Sequence, residues 1–139
     1  MQKRRKDRNE AGEFIKKLKK MESLEELDIE EIARKDGWAE KLAEEWKEMK
    51  THQLRRVFDE IKDIERKLKT ESWDRIKPRF YMIRPYVAFA MNRNLVPRDF
   101  FKVIDRCMVK IDVGDEETKK RNYGRFVKLL EAIVAYHKG

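Results

Sequence analysis

The chain holds one cysteine, two histidines, three prolines and five glycines in 139 residues. A single cysteine, Cys107, excludes an internal disulfide framework and a cysteine-cluster zinc site, and it suits a reducing cytoplasm. Eight glycines and prolines are about half the usual share, too little turn chemistry for an all-β fold. Nor is there a long apolar run. The longest, Phe80 to Met91, contains Arg84 and Pro85 and falls well short of the roughly 20 residues that span a bilayer. The basic opening MQKRRKDRNE leads into no apolar segment, so no signal peptide is expected and a cytoplasmic protein with no membrane contact is. What is abundant is charge, 45% of residues with a net of +8. About 40% apolar residues still supply a core. The expectation is one all-α domain over residues 1–139, a compact bundle of five to six helices, with residues 1–10 a flexible basic arm.

Charge is unevenly placed. Residues 1–20 carry nine bases and three acids, residues 21–50 five and eleven, residues 51–110 fifteen and eight, and residues 111–139 six and five. The middle of the chain is thus both folded and basic, a distribution that attracts polyanions, with nucleic acid the commonest partner.

Apolar spacing places the helices. Phe14, Ile15 and Leu18 form a first stripe, and Asp28 caps a second helix from Ile29 to about Lys35 that Asp36 and Gly37 interrupt. Trp38, Leu42 and Trp46 mark a third, running to about Lys50. Thr51 is expected to cap the next, whose stripe is Leu54, Val57, Phe58, Ile61, Ile64 and Leu68. Ser72 caps a segment with Trp73, Ile76, Phe80, Ile83, Val87 and Ala90; its apolar residues surround the axis, which predicts the most buried helix, kinked or restarted at Pro85. Pro97 is placed in the first turn of a helix with Phe100, Phe101, Ile104, Met108 and Ile111. After a turn at Asp112, Gly114 and Asp115, the last helix uses Tyr123, Phe126, Leu129, Leu130, Ile133, Val134 and His137.

Signals of catalysis are weak. His52 and His137 lie on separate helices, no ligand spacing for a metal is present, and there is no glycine-rich phosphate loop, so no cofactor is expected. Asp59, Glu60, Asp63 and Glu65 have bases three or four positions away, which predicts the surface ion pairs Arg55–Asp59, Arg56–Glu60, Asp59–Lys62 and Asp63–Lys67. Cys107, beside Met108 in an apolar helix, reads as packing.

The nucleic-acid signal is stronger. At 100° per residue from Leu54, Lys69, Lys62, Arg55 and Arg66 fall at about 60° to 120°, on one flank of the buried stripe, where a phosphate chain would meet them. In the following segment Arg75, Lys77, Arg79, Arg84 and Arg93 are matched by one acid, Asp74, a one-sided patch. Phe80, Tyr81, Tyr86 and Phe89 are interleaved there; at helical spacing such rings are more often core than stacking platforms, so the arginines are the expected contacts.

Three stretches resemble the small subunit of type III-A CRISPR effector complexes, the Csm small subunit. Lys50-Thr51-His52-Gln53-Leu54-Arg55-Arg56 is similar to that family's capped helix opening with a Leu-Arg pair. Arg84-Pro85-Tyr86-Val87-Ala88-Phe89-Ala90-Met91-Asn92-Arg93 is similar to its basic, Ala-Tyr, Gly-Arg pattern. Phe126 to Lys138, ending Leu130-Glu131-Ala132-Ile133-Val134-Ala135-Tyr136-His137-Lys138, is the most specific. These bracket residues 50–138, and the first fifty are alike only in being helical and acidic. Phe89 stands where the family usually has Tyr, and Tyr86 where a second base is common.

The resemblance implies an all-helical, noncatalytic structural subunit of a ribonucleoprotein. Several copies would stack along guide RNA and target RNA beside other subunits, holding the phosphate backbone without reading sequence. It carries over Arg55, Arg84 and Arg93 as RNA contacts. Charge and proximity add Lys50, Gln53, Arg56, Lys77 and Arg79. The Glu131 to Tyr136 motif reads as packing, with a basic partner for Glu131. The rival reading is a helical protein-interaction adaptor, or a DNA-binding regulator whose recognition helix would follow the turn at Asp36-Gly37 or at Asp112-Val113-Gly114.

Overall fold

The computed structural model describes residues 9–138. Among the described residues run eight α-helices and one 3₁₀ turn, with no strand, and six of the helices have nine residues or more. This is the expected all-α bundle. Of the basic arm expected over residues 1–10, residues 1–8 lie outside the described residues. Asn9 caps α1 (Glu10–Lys19), its Oδ1 accepting from the Gly12 amide at 2.8 Å, and Glu10 opens the helix. A second cap comes from afar: Glu45 Oε1 accepts from the Glu10 amide at 2.6 Å and Oε2 from Ala11 at 3.2 Å. Acids in its first turn and Lys16, Lys17 and Lys19 in its last complement the helix dipole.

The 3₁₀ turn Leu24–Glu26 leads to α2 (Ile29–Ala33), capped by Asp28 as expected. The turn after it requires its glycine. Asp36 has φ 62°, and a Cβ on Gly37 would stand 2.5 Å from the Glu31 carbonyl oxygen. Next, α3 (Trp38–Glu45) ends five residues before the expected Lys50, because Trp46 leaves helical geometry to bury its ring against Phe100, 5.1 Å away, and donate from Nε1 to Asp99 at 2.9 Å.

In α4 (Thr51–Leu68) Leu54, Val57, Ile61, Ile64 and Leu68 are buried as the stripe predicts. Its cap differs from the expected one. Lys50 occupies that position with no side-chain bond, while Thr51 is already helical and its hydroxyl faces His137 Nδ1 at 3.3 Å. Ser72 does cap α5 (Trp73–Tyr81), accepting from Arg75 at 3.2 Å. The helix then restarts at Met82, giving α6 (Ile83–Asn92) with Pro85 in its first turn, where a missing amide proton is harmless. Pro97 sits in the cap position rather than the first turn of α7 (Arg98–Ile111), and Asp115 caps α8 (Glu116–Tyr136).

The segment from Trp73 to Ala90 is not the most buried part of the chain. Tyr81, Met82, Tyr86 and Phe89 are exposed, because α6 packs only one side, on α4, α5 and α7. The central helix is α8, which packs against α2 to α5, α7 and the 3₁₀ turn. Tyr123 donates to the Ile61 carbonyl at 2.7 Å, and burial pushes its phenol well above the ordinary value. Asn122, fully buried, accepts from Ser23 Oγ and the Glu25 amide at 2.8 and 2.7 Å and donates to the Ile111 carbonyl at 3.1 Å. Cys107 is buried and its thiol pushed up by desolvation, the packing role expected.

Candidate functional site

Two of the eight candidate contacts meet at a hollow of about 630 Å³ between the start of α4 and the end of α6. Lys50, His52 and Gln53 line one side, Met91, Asn94 and Leu95 the other, and Arg98 from α7 joins them. Gln53 Nε2 lies 3.1 Å from His52 Nε2. Arg98 was missed by sequence reasoning, since it stands outside every basic cluster and only the Asn94 to Pro97 turn brings it to α4.

Arg55 and Arg56 follow on α4. Both are exposed, and among the described residues neither has an acid partner. The four expected ion pairs are replaced by others. Lys62 pairs with Glu65 at 3.5 Å, and Arg66 with Asp63 at 2.5 Å. Glu60 and Asp63 are taken instead by Arg79 of α5, at 3.1 and 2.7 Å. This leaves the acids of α4 neutralised toward its C-terminal half and its N-terminal half free of acid up to Asp59.

The middle patch is less one-sided than the segment from Ser72 onward, because an acid just before it and acids on neighbouring helices meet its bases. Arg75 pairs with Glu71 at 3.1 Å, and Arg79 is held by α4. Arg84 reaches α7, pairing with Asp105 at 2.5 Å and lying 5.4 Å from the Phe101 ring centroid. Lys77 Nζ is 5.8 Å from the Tyr81 ring. Tyr81 donates to Asp112, which raises its own pKa, and Asp112 also pairs with Lys119 at 3.1 Å. Arg93 has no acid partner among the described residues, and its Cζ stands 3.6 Å over the Phe89 ring. The rings assigned to the core divide: Phe80 is buried, while Tyr81, Tyr86 and Phe89 are 48%, 40% and 55% exposed.

The third motif is packing. Leu129, Leu130 and Ile133 are buried, and the Tyr136 hydroxyl donates to the Ala33 carbonyl at 2.7 Å. His137 Nε2 lies 2.9 Å from the Trp46 carbonyl oxygen, and the basic partner of Glu131 is Lys128, one turn before it at 3.7 Å.

Among the described residues no helix is long and apolar enough to cross a membrane, and no three His, Cys, Asp or Glu side chains gather as metal ligands. No curated protein and no solved structure matches the chain. A family model described as Csm2 Type III-A matches residues 26–139, reaching well upstream of residues 50–138 and taking in the acidic α2 and α3. The chain therefore belongs to the Csm2 Type III-A family, the small structural subunit of the type III-A Csm CRISPR complex.

Proposed function

We propose that this subunit binds RNA through its phosphate backbone, without catalysis of its own, as copies placed side by side along the guide and target RNA of the complex. The observation that carries the reading is that, among the described residues, Lys50, Arg55 and Arg56 have no acid partner. Lys50 fills a cap position where Ser or Asp would stabilise the helix, and its charge there opposes the dipole. Positive charge kept there at a cost to the fold points outward to an anion. Gln53 and Arg98 extend the set across the hollow, and Arg93 continues it along α6. Arg84 and Lys77 flank the surface. Arg79, held by two carboxylates, acts as a strut between α4 and α5.

Phosphate contact predicts little base preference and a linear fall of log K with log salt, about 0.7 per phosphate neutralised on a single strand. Filter binding of the full chain to single-stranded RNA tests this from low to moderate salt. A single copy binds weakly, since avidity comes from neighbouring copies. Arg55→Glu with Arg56→Glu is expected to lower affinity about tenfold or more. The reading fails if low-salt binding is absent, if the double variant binds unchanged, or if duplex DNA is preferred.

A further inference from the structure

On α6, Met82, Tyr86 and Phe89 are 62%, 40% and 55% exposed, and at 100° per residue they fall with Arg93 within an arc of about 60°. The buried seam of the same helix, Ile83, Val87 and Ala90, lies about 100° away. Folding accounts for the seam. It gives no reason for an outer stripe of two rings and a methionine on so charged a chain, and contiguous exposed apolar surface of this kind marks a contact site.

The chemistry of the stripe selects its occupant. Residues 83–92 contain no acid, and Arg93 lays its guanidinium over Phe89. Tyr81, exposed at the end of α5, has Lys77 beside its ring. A purely apolar partner would leave these cations desolvated and unpaired. A strand with flat π faces and an anionic backbone satisfies both parts, since bases stack on rings and guanidinium planes while phosphates meet the cations. Met91, on the opposite side of α6 from the stripe, and Asn94 and Leu95 just after the helix line the hollow with Lys50 and Gln53. We infer that Tyr86 and Phe89, with the Arg93 guanidinium, form a stacking platform for unpaired bases of single-stranded RNA, an inference that rests on the RNA-binding reading above.

Two oligonucleotides of equal length separate base contact from phosphate contact: an adenine-rich RNA carrying 2-aminopurine, and the same backbone with abasic positions. The full chain is compared with Tyr86→Ala/Phe89→Ala, in which two exposed rings are removed and the core is untouched; circular dichroism checks the fold. Stacking predicts weaker binding of the abasic strand, quenching of 2-aminopurine by the parent chain, and loss of both differences in the double variant. Its affinity for the intact RNA drops about tenfold or more with the salt slope unchanged. Phe89→Trp retains binding and quenching. Equal binding of intact and abasic strands, or a double variant that binds and quenches as the parent does, removes the platform and leaves phosphate binding standing. Binding to neither strand removes both. If the double variant binds and quenches normally but loses self-association in sedimentation, the stripe is a contact between copies and the inference is overturned.

Discussion

Arg79 on α5 and Asp63 on α4 form an ion pair at 2.7 Å across the seam between the two helices. Glu60 completes the clamp on the same guanidinium at 3.1 Å. Arg79→Ala is therefore expected to cost about 1 kcal/mol of stability, the upper range for pairs screened by solvent, and to leave RNA affinity within about twofold. Arg55→Ala has the opposite signature, unchanged stability and weaker RNA binding. Urea unfolding and filter binding on the two variants check this, and an Arg79 variant of full stability and lost affinity would place that side chain on the RNA.

Lys50 offers a second separation of fold from function. Its backbone, φ −68° and ψ 136°, is that of a cap residue, yet its side chain caps nothing. Lys50→Asp supplies an acceptor for the first-turn amides and a charge of the sign the dipole favours, worth about 1 kcal/mol of added stability. The same change puts a carboxylate on the surface proposed to meet phosphate. Thermal unfolding should shift up while RNA affinity falls. A variant that binds RNA as well as the parent would take Lys50 out of the contact set.

Much of this arrangement is legible in the spacing of apolar residues, and the failures share one cause. The stripe from Leu54 to Leu68 is buried because a long helix with one apolar side has one place to put it. Residues 73–90 misled because apolar residues all round an axis say nothing of how many neighbours arrive. Met82 breaks the segment into two helices, and α6 finds partners on one side only. Charge misled in the same way. Arg84 has no acid near it in sequence, but Asp105 lies on the helix beside it. Ion pairs counted along α4 lost Glu60 to a base nineteen residues on, and the same base shares Asp63 with Arg66. By contrast Arg55 and Arg56 were visible as candidates from sequence, though with Asp59 and Glu60 as expected partners, and only tertiary structure shows that among the described residues neither has an acid partner.

Asn122 is the polar joint of the bundle. It ties the 3₁₀ turn and the end of α7 to α8 through three hydrogen bonds, with no solvent to replace them. Asn122→Leu keeps the volume and leaves the Glu25 amide, the Ser23 hydroxyl and the Ile111 carbonyl without this partner. A loss of about 3 kcal/mol is expected, since buried unsatisfied groups carry the full cost of desolvation. Urea denaturation measures it directly. A loss below about 1 kcal/mol would show that water reaches the joint.

Stability should depend on acid in two opposite ways. Hydrogen bonds from Arg79 and then Arg66 hold the Asp63 carboxyl below its ordinary 3.8, and bonds from Thr118 do the same for Asp115. For Asp112, burial pulls upward but is outweighed by the bonds from Tyr81 and Lys119. A carboxyl whose pKa is lower folded than unfolded adds stability that is complete above the unfolded value and is lost as pH falls through the folded one. These three therefore make the fold weaken below about pH 4. Glu45 has the other sign: burial, with Asp99 nearby, pushes it above 4.5, so the stability it contributes is full below that value and is lost as pH rises through the raised one. Urea midpoints from pH 2.5 to 7 should show Asp63→Asn with a shallower acid limb. Glu45→Gln should follow the parent slope below pH 4 and rise more steeply than the parent above pH 4.5. Parallel curves for all three proteins would mean that neither carboxyl feels its neighbours differently in the folded chain.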